Sequence, residues 1–135
     1  MQVHPEPVLD LLEKQYIPVV STLGCDRDGT LYNINGDTAA AYLAGALHAE
    51  RLLLMTDVPG ILRDKINPAS LLHDLTVREA RAYRADGTIA GGMIPKVECC
   101  VQALEAGVKN VVILDGRIPH SLLLELLTNE GVGTL

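Results

Sequence analysis

Hydrophobic positions change their spacing several times along the chain, and these changes predict alternating strands and helices. Continuous aliphatic runs at Arg51 to Thr56 and Lys109 to Leu114 indicate buried strands, and Tyr16 to Thr22 is predicted as a third. Asp28-Gly29 lies between alternating polar and apolar residues and predicts a tight hairpin. Helical spacing and helix-start signals predict helices over residues 6–14, 37–49, 76–86, 95–105 and 119–127. One of these signals is a capping box formed by Thr76 and Glu79.

Aliphatic strands that alternate with helices predict the α/β class, with a mainly parallel sheet sandwiched between helices. The 135 residues contain no repeat, linker or charge block, so we expect residues 1–135 to form a single domain. Ligands of such sheets bind at the carboxyl ends of the strands. The segments of interest are therefore residues 33–37, 56–60 and 115–116.

Composition narrows the functional classes. A net charge of −6 and four tyrosines as the only aromatic residues argue against nucleic-acid binding. Every apolar run is too short to span a bilayer, and no signal-peptide pattern is present, so we expect no membrane partner and a cytoplasmic protein. Cys25, Cys99 and Cys100 lack metal-binding spacing and are expected to be reduced thiols, with Cys99 or Cys100 in the core.

A polar cluster follows the predicted hairpin. Asn33 and Asn35 are two residues apart, so in an extended chain their amides share a face, and Asp37 comes directly after them at a predicted helix start. Convergent amides next to a carboxylate can bind a polar ligand. The alternative is an Asx turn with a helix cap, and the sequence leaves both open.

A second polar feature is the string Gly91-Gly92-Met93-Ile94-Pro95-Lys96. Glycines before a helix let the backbone approach a phosphate, and helix N–H groups with a first-turn lysine supply positive potential. Lys96 opposes the helix dipole unless an anion is bound nearby, although a solvated lysine remains the alternative. The string matches neither a P-loop nor GxGxxG.

The remaining polar residues give weaker indications. The segment from Thr56 to Leu62 follows a strand and could line a nucleotide crevice. The four histidines and the scattered carboxylates show no metal-ligand spacing, so we predict no protein-bound metal, and Mg²⁺ would arrive on nucleotide phosphates.

The lysine loop and the Asn/Asp cluster together suggest phosphoryl transfer. No general base stands near either feature, which favours a carboxylate acceptor, because a carboxylate is already ionised at neutral pH. Catalysis would then consist of positioning and charge neutralisation.

The sequence of these segments resembles that of N-acetylglutamate kinases, which are members of the amino acid kinase family. The similar strings are 32–40 (YNINGDTAA), 54–62 (LMTDVPGIL), 91–97 (GGMIPKV), and a tail from Asp115 through 122–125 to 131–134. The resemblance implies a carbamate kinase-like carboxyl-terminal lobe. It also implies ATP-dependent phosphorylation of the γ-carboxylate of N-acetyl-L-glutamate, the second step of arginine biosynthesis.

The same resemblance implies roles for individual residues. Asn33 would bind acetylglutamate with support from Asn35, Asp37 would organise the catalytic lysines, and Lys96 would stabilise the transferring phosphoryl group. The implied nucleotide-binding positions are Thr56, Asp57, Val58, Pro59, Gly60, Ile61, Leu62, Thr88, Ile89, Ala90, Gly91, Gly92 and Met93.

The tail resembles arginine-inhibited members of the family. His120, Glu125 and Gly131 would belong to the inhibitor site for L-arginine. Full-length members are homo-oligomers, either dimers or hexamers. In photosynthetic organisms the nitrogen-signalling PII protein controls such enzymes. A member from a plant would be expected in the plastid stroma.

The resemblance covers only about the carboxyl-terminal half of a family member. An amino-terminal acetylglutamate-binding domain, with its phosphate-cradling glycines and a second catalytic lysine, would be absent from a truncated chain of this kind. The chain is therefore expected to supply the ATP-binding half of the enzyme and to have little or no activity alone. The alternative is a regulatory module that binds nucleotide or arginine but does not catalyse a reaction.

Overall fold

The computed structural model describes residues 2–64, 66–128 and 133–134. Its helices are α1 (Glu6–Glu13), α2 (Gly36–Ala46), α3 (Val77–Ala85), α4 (Met93–Glu105) and α5 (Ser121–Leu127), with a 3₁₀ turn at Pro68–Ser70. Its strands are β1 (Leu23–Cys25), β2 (Leu31–Asn33), β3 (Arg51–Thr56) and β4 (Asn110–Asp115).

The strands form two separate pairs. β3 and β4 run parallel, in register from Arg51 opposite Asn110 to Thr56 opposite Asp115. A parallel pair needs a long crossover, and α3 and α4 lie in the connection between these two strands. β1 and β2 form an antiparallel hairpin of their own. The predicted α/β class and the strands at 51–56 and 109–114 are confirmed.

The core lies between the parallel pair and the helices. Leu54 of β3 and Ile113 of β4 pack with Val97 of α4 and Ala80 of α3. A second cluster joins α2, α4 and the start of β4 through small side chains, and its buried members are Ala41, Ala44, Cys99, Ala103, Val108 and Val111. Because these residues are small, α2 and α4 approach closely: a Cβ placed on Gly45 would lie 2.7 Å from the Cβ of Ala106. This close contact joins the carboxyl-terminal ends of α2 and α4.

β4 is buried on both faces, which explains its unbroken aliphatic sequence. Val111 and Ile113 face the helical core, while Val112 and Leu114 alternate with them and are also buried. α5 packs against β4 as well. A strand of this kind carries no polar alternation, as expected for parallel sheets.

The strand predicted at Tyr16 to Thr22 is wrong. No strand is formed there in the described chain, and the side chains of Ile17 and Val19 are 90% and 95% exposed. A strand exists only where a neighbouring strand accepts its hydrogen bonds, and Pro18 further removes one N–H donor. Apolar composition alone does not supply that neighbour.

Helix starts were predicted with mixed success. The capping box is confirmed, since Thr76 Oγ1 accepts from the Glu79 N–H while Glu79 accepts from the Thr76 N–H. α2, however, begins at Gly36 with Asn35 as its cap, so Asp37 is not the cap. α4 begins at Met93, two residues before the predicted start. Proline is well tolerated in a first helical turn, which makes such a start hard to place from sequence.

The hairpin was predicted correctly. Gly29 has φ +83°, a left-handed conformation that favours glycine, and its N–H donates to the Asp26 carbonyl. The Asp26 carboxylate accepts from the N–H groups of Asp28 and Thr30, both at 2.9 Å. These bonds, chiefly the one from Thr30, lower the pKa of the Asp26 carboxyl.

Candidate functional site

Two residues predicted as catalytic lie in direct contact. Lys96 Nζ donates to Asp37 Oδ2 at 2.9 Å, although the two residues are 59 positions apart in the chain. Each side chain is only 25% exposed. Asp37 lies in the first turn of α2 and Lys96 near the start of α4, so the close packing of these helices brings the two side chains together.

The electrostatics of this pair explain why a lysine is tolerated near a helix start. The positive ends of two helix dipoles favour Asp37 and disfavour Lys96. The Asp37 carboxylate supplies the anion that Lys96 requires, so the lysine does not by itself demand an external ligand. An ammonium has three donors, and one bond to Asp37 leaves two others for a ligand.

The structure separates the two asparagines that the sequence grouped. The Asn35 side chain accepts from the Thr38 N–H at 3.1 Å and caps α2, so the capping alternative is confirmed for this residue. Asn33 ends a strand of the separate hairpin rather than of the parallel sheet, and its side chain is exposed. Within the described residues the Asn33 amide makes no hydrogen bond, which leaves it available to a ligand.

A cavity of about 400 Å³ gathers most of the predicted nucleotide-binding segments. Its walls come from the loop after β3, from the segment before α4 together with the first residue of α4, and from Arg117, which follows β4. The residues concerned are Asp57, Val58, Pro59, Gly60, Ile61, Leu62, Thr88, Ile89, Ala90, Met93 and Arg117. Thr56 lies behind this wall, where its Oγ1 accepts from the Val58 N–H at 3.0 Å. The cavity opens at the carboxyl ends of the parallel strands, where α/β folds bind ligands.

The loop that forms one wall of the cavity is held rigidly. Gly60 is buried with φ +139°, and a Cβ there would lie 2.7 Å from Thr134 Oγ1 and 2.8 Å from Leu71 Cδ1. The Ile61 N–H donates to the same Thr134 hydroxyl at 3.0 Å. Only glycine satisfies both the backbone and the space, so this wall is formed before any ligand arrives.

Gly91 and Gly92 lie at the start of α4 rather than in the cavity wall. Gly91 has φ +61°, and a Cβ on either glycine would meet no atom within 4 Å. Gly92 is the N-cap, and no side chain caps this helix. Open space therefore adjoins the N–H groups of a helix start that leads directly to Lys96, a geometry suited to an anion.

A charged pair at the end of β4 was not predicted from the sequence. Arg117 donates from Nε to Asp115 Oδ1 at 2.9 Å and from Nη2 to Oδ2 at 2.8 Å. The Asp115 side chain is almost fully buried, and the Arg117 hydrogen bonds lower the pKa of its carboxyl. The signal that could have found this pair is the string Asp115-Gly116-Arg117 at a strand end, which lies within the tail that resembles the family but from which no role was expected for Arg117.

Two of the three residues predicted for an arginine site lie at or within α5. His120 is exposed and precedes α5 in a left-handed conformation, with φ +60°. Glu125 is partly buried on α5 and has an interaction of its own. Gly131 lies outside the described residues.

The thiol of Cys100 next to the ion pair is held in its protonated form. Burial, with the neighbouring Cys99 and Asp37, raises the pKa of the Cys100 thiol to about 12, while Lys96 acts in the opposite direction. Cys99 is buried, its Sγ 3.6 Å from Thr38 Oγ1, and Cys25 is exposed. The prediction that one of the paired cysteines lies in the core is confirmed.

The described residues contain neither a cluster of metal ligands nor a membrane-spanning helix. No three or more His, Cys, Asp or Glu side chains group closely enough there to hold a metal ion. In the same part of the chain, no helix has the length and apolar character needed to cross a membrane.

The chain is similar in sequence to proteins of a known family. Residues 1–115 match the sequence model of the amino acid kinase family. The acetylglutamate kinase of Synechococcus sp. (strain RCC307) is 53% identical over 134 residues, which are 99% of this chain and 45% of that protein. The chain thus spans about half the length of this relative.

Solved structures agree with the family match. N-acetylglutamate synthase from Neisseria gonorrhoeae, complexed with coenzyme A and L-arginine, is 33% identical with a TM-score of 0.85, over 96% of this chain and 29% of that one. Carbamate kinase from Giardia lamblia bound to AMP-PNP shares the fold, with a TM-score of 0.72 at 23% identity, over 99% of this chain and 44% of that one. The chain belongs to the amino acid kinase family.

Proposed function

We propose that this chain is the nucleotide-binding half of an enzyme that transfers the γ-phosphoryl group of ATP to the γ-carboxylate of N-acetyl-L-glutamate. The observation that carries the proposal is the Lys96–Asp37 pair, which lies beside the uncapped, glycine-led start of α4. The 53% identity to an acetylglutamate kinase supports this choice of acceptor. By this proposal, residues 1–135 act as the ATP-binding domain.

The residues of the chain would act by positioning and by neutralising charge. The acceptor carboxylate is ionised at neutral pH and needs no base, so what the reaction requires is positive charge at the transferring phosphoryl group. Lys96 would donate its free N–H groups to that phosphoryl group, and Asp37 would hold the ammonium in place through the bond observed at 2.9 Å. Mg²⁺ carried on the nucleotide phosphates would neutralise part of their charge.

The cavity supports binding of the rest of the nucleotide. Val58, Pro59, Ile61, Ile89 and Met93 give it an apolar lining suited to a flat base. Gly91 and Gly92 lie between Ile89 of that lining and Lys96 in the sequence, which suits phosphates that run from the cavity towards the lysine.

The acceptor would contact the hairpin side of the ion pair. The unbonded Asn33 amide is proposed to bind the acetylglutamate, and Asn35 to support it by fixing the start of α2. These contacts would be completed by residues outside this chain, because the chain spans 45% of its Synechococcus relative. We therefore expect little or no kinase activity from the 135 residues alone.

A second candidate function is regulatory binding of L-arginine. It is favoured by the likeness to an N-acetylglutamate synthase whose structure contains arginine. His120, Glu125 and Gly131 are the proposed contacts, and PII control and homo-oligomer formation would belong to the whole enzyme. Titration of the intact enzyme with arginine tests this function, and no inhibition at millimolar arginine would exclude it.

The primary test is isothermal calorimetry of Mg-ATP binding to the wild type, Lys96→Ala and Lys109→Ala. Lys109 is an exposed lysine outside the cavity and α4, so its substitution controls for the loss of one positive charge. We expect weak binding by the wild type and Lys109→Ala, and a loss of about tenfold in Lys96→Ala, as charge-assisted hydrogen bonds give. No binding heat from the wild type at millimolar Mg-ATP would contradict the proposal.

A further inference from the structure

Arg117 gives the proposed nucleotide cavity its positive charge. Among the described residues that line the cavity, Arg117 is the only lysine or arginine, and Asp57 is the only carboxylate. Lys96 does not line the cavity. A polyphosphate that enters the cavity would therefore be repelled by the Asp57 carboxylate. The positive charge of Arg117 would compensate for this repulsion.

The guanidinium of Arg117 is held in one orientation. Asp115 accepts two parallel bonds from it, and the Arg117 backbone N–H donates to the same carboxylate at 2.9 Å. A fork of this kind fixes a side chain that would otherwise be mobile, and Asp115 is itself anchored at the end of a buried strand. The cation is thus positioned before a ligand binds, which lowers the entropic cost of binding.

Part of the guanidinium faces away from Asp115. The Arg117 side chain is 63% exposed, and its Nη1 has no partner within the described residues. The hydrogen bonds that Arg117 donates to Asp115, and then the charges of Asp115 and Asp57, raise the pKa of Arg117, so it stays charged at every physiological pH.

We propose that Arg117 is a nucleotide-binding residue that contacts the phosphates of the nucleotide. This inference rests on the proposed function, since it assumes that the cavity receives a nucleotide. The competing possibility is a structural role in which Arg117 only neutralises Asp115 and closes the end of β4. A phosphate contact makes a distinct prediction, because its energetic effect grows with the number of phosphates on the ligand.

The test is an NMR titration of the full 135-residue chain. A chain of this size gives well-resolved spectra, and the method measures weak affinities. Adenosine, Mg-ADP and Mg-ATP are titrated into the wild type, Arg117→Gln, Arg117→Lys and Arg81→Gln. Arg81→Gln is the matched control, because Arg81 pairs with Glu105 on an exposed surface outside the cavity.

Removal of the charge should weaken Mg-ATP about ten- to a hundredfold, Mg-ADP less, and adenosine by no more than about twofold. Arg117→Lys should give an intermediate loss, and Arg81→Gln none. The Nε–H signal of wild-type Arg117 should shift on titration with Mg-ATP but not with adenosine. This last measurement needs no variant, so it tests the contact even if Arg117→Gln fails to fold.

Three results would overturn the inference. Equal losses for adenosine and Mg-ATP in Arg117→Gln would show the purely structural role. Unchanged Mg-ATP affinity in a folded Arg117→Gln would show no role in binding. In both cases the wild type still binds nucleotide, so the proposed function survives, whereas a wild type that binds none of the three ligands would overturn both.

Discussion

Replacing Asp37 should destabilise the fold more than replacing Lys96, its partner in the ion pair. A double-mutant cycle can measure both losses and the coupling free energy between the two residues. The variants are Asp37→Asn, Lys96→Met and the double substitution. Both replacements keep much of the side-chain volume, so packing between α2 and α4 is preserved and the charges are what change.

The expected magnitude follows from distance and burial. At the observed 2.9 Å and an effective dielectric constant near 20, the gross attraction is about 6 kcal/mol, most of which is offset by desolvation. Exposed pairs couple by about 0.2–1 kcal/mol, and loss of one partner of a fully buried pair costs about 3–5 kcal/mol. With each side chain 25% exposed, this pair lies between those limits, and we expect a coupling free energy of about 1–2 kcal/mol.

The helix dipoles make the single variants unequal. Asp37→Asn removes a favourable charge from the start of α2 and leaves Lys96 unbalanced at the start of α4. Lys96→Met relieves an unfavourable charge and leaves Asp37 well placed. Since each such charge–dipole term is about 0.3–1 kcal/mol, Asp37→Asn should cost about 1 kcal/mol more than Lys96→Met.

The assay is urea and thermal unfolding followed by far-UV circular dichroism, because the chain contains no tryptophan to report fluorescence. A difference of 1 kcal/mol should change the melting temperature by about 4 °C in a chain of this size. The exposed pair Arg81–Glu105 provides a control cycle, with coupling below about 1 kcal/mol. Coupling of Asp37 and Lys96 no larger than in this control, or a greater loss in Lys96→Met than in Asp37→Asn, would refute the reasoning.

Two further predictions concern the helix caps and the thiols. Thr76→Ala should lower the free energy of unfolding by about 1 kcal/mol, because it removes the cap of α3, while Thr76→Ser should retain most of it; equal stability of the two variants in urea would contradict the capping role. A thiol reagent at pH 8 should modify Cys25 rapidly and the other two cysteines only after unfolding; three rapid reactions would contradict the burial of Cys99 and the raised pKa of Cys100. Since the folded pKa of Cys100 is raised, its contribution to stability is complete below the unfolded thiol value of about 8.5 and is lost as the pH rises towards about 12.

Features encoded by neighbouring residues could be predicted from the sequence. The capping box at Thr76 and Glu79 and the turn at Gly29 depend on a few adjacent residues, and both were predicted correctly. The two aliphatic strands were also found, because burial on both faces leaves an unbroken apolar run, as in β4.

Features that depend on distant neighbours could not be predicted. The segment 16–22 has the composition of a strand, but composition does not supply the second strand that would pair with it. Asp37 and Lys96 were each suspected of a role, yet their contact spans 59 positions and depends on how closely α2 and α4 pack. Arg117 was missed because its importance comes from the strand end and the cavity that it shares with distant loops.

The parallel pairing of β3 with β4 also determines how this chain must fold. Every pairing in that sheet, from Arg51 with Asn110 onwards, closes a loop of about 60 residues, and the ion pair closes another of similar length. The entropy of these closures is lost before the contacts form, so folding is expected to be slower than that of helical bundles of similar size. The ion pair and the cavity walls should therefore form late in folding, together with the sheet.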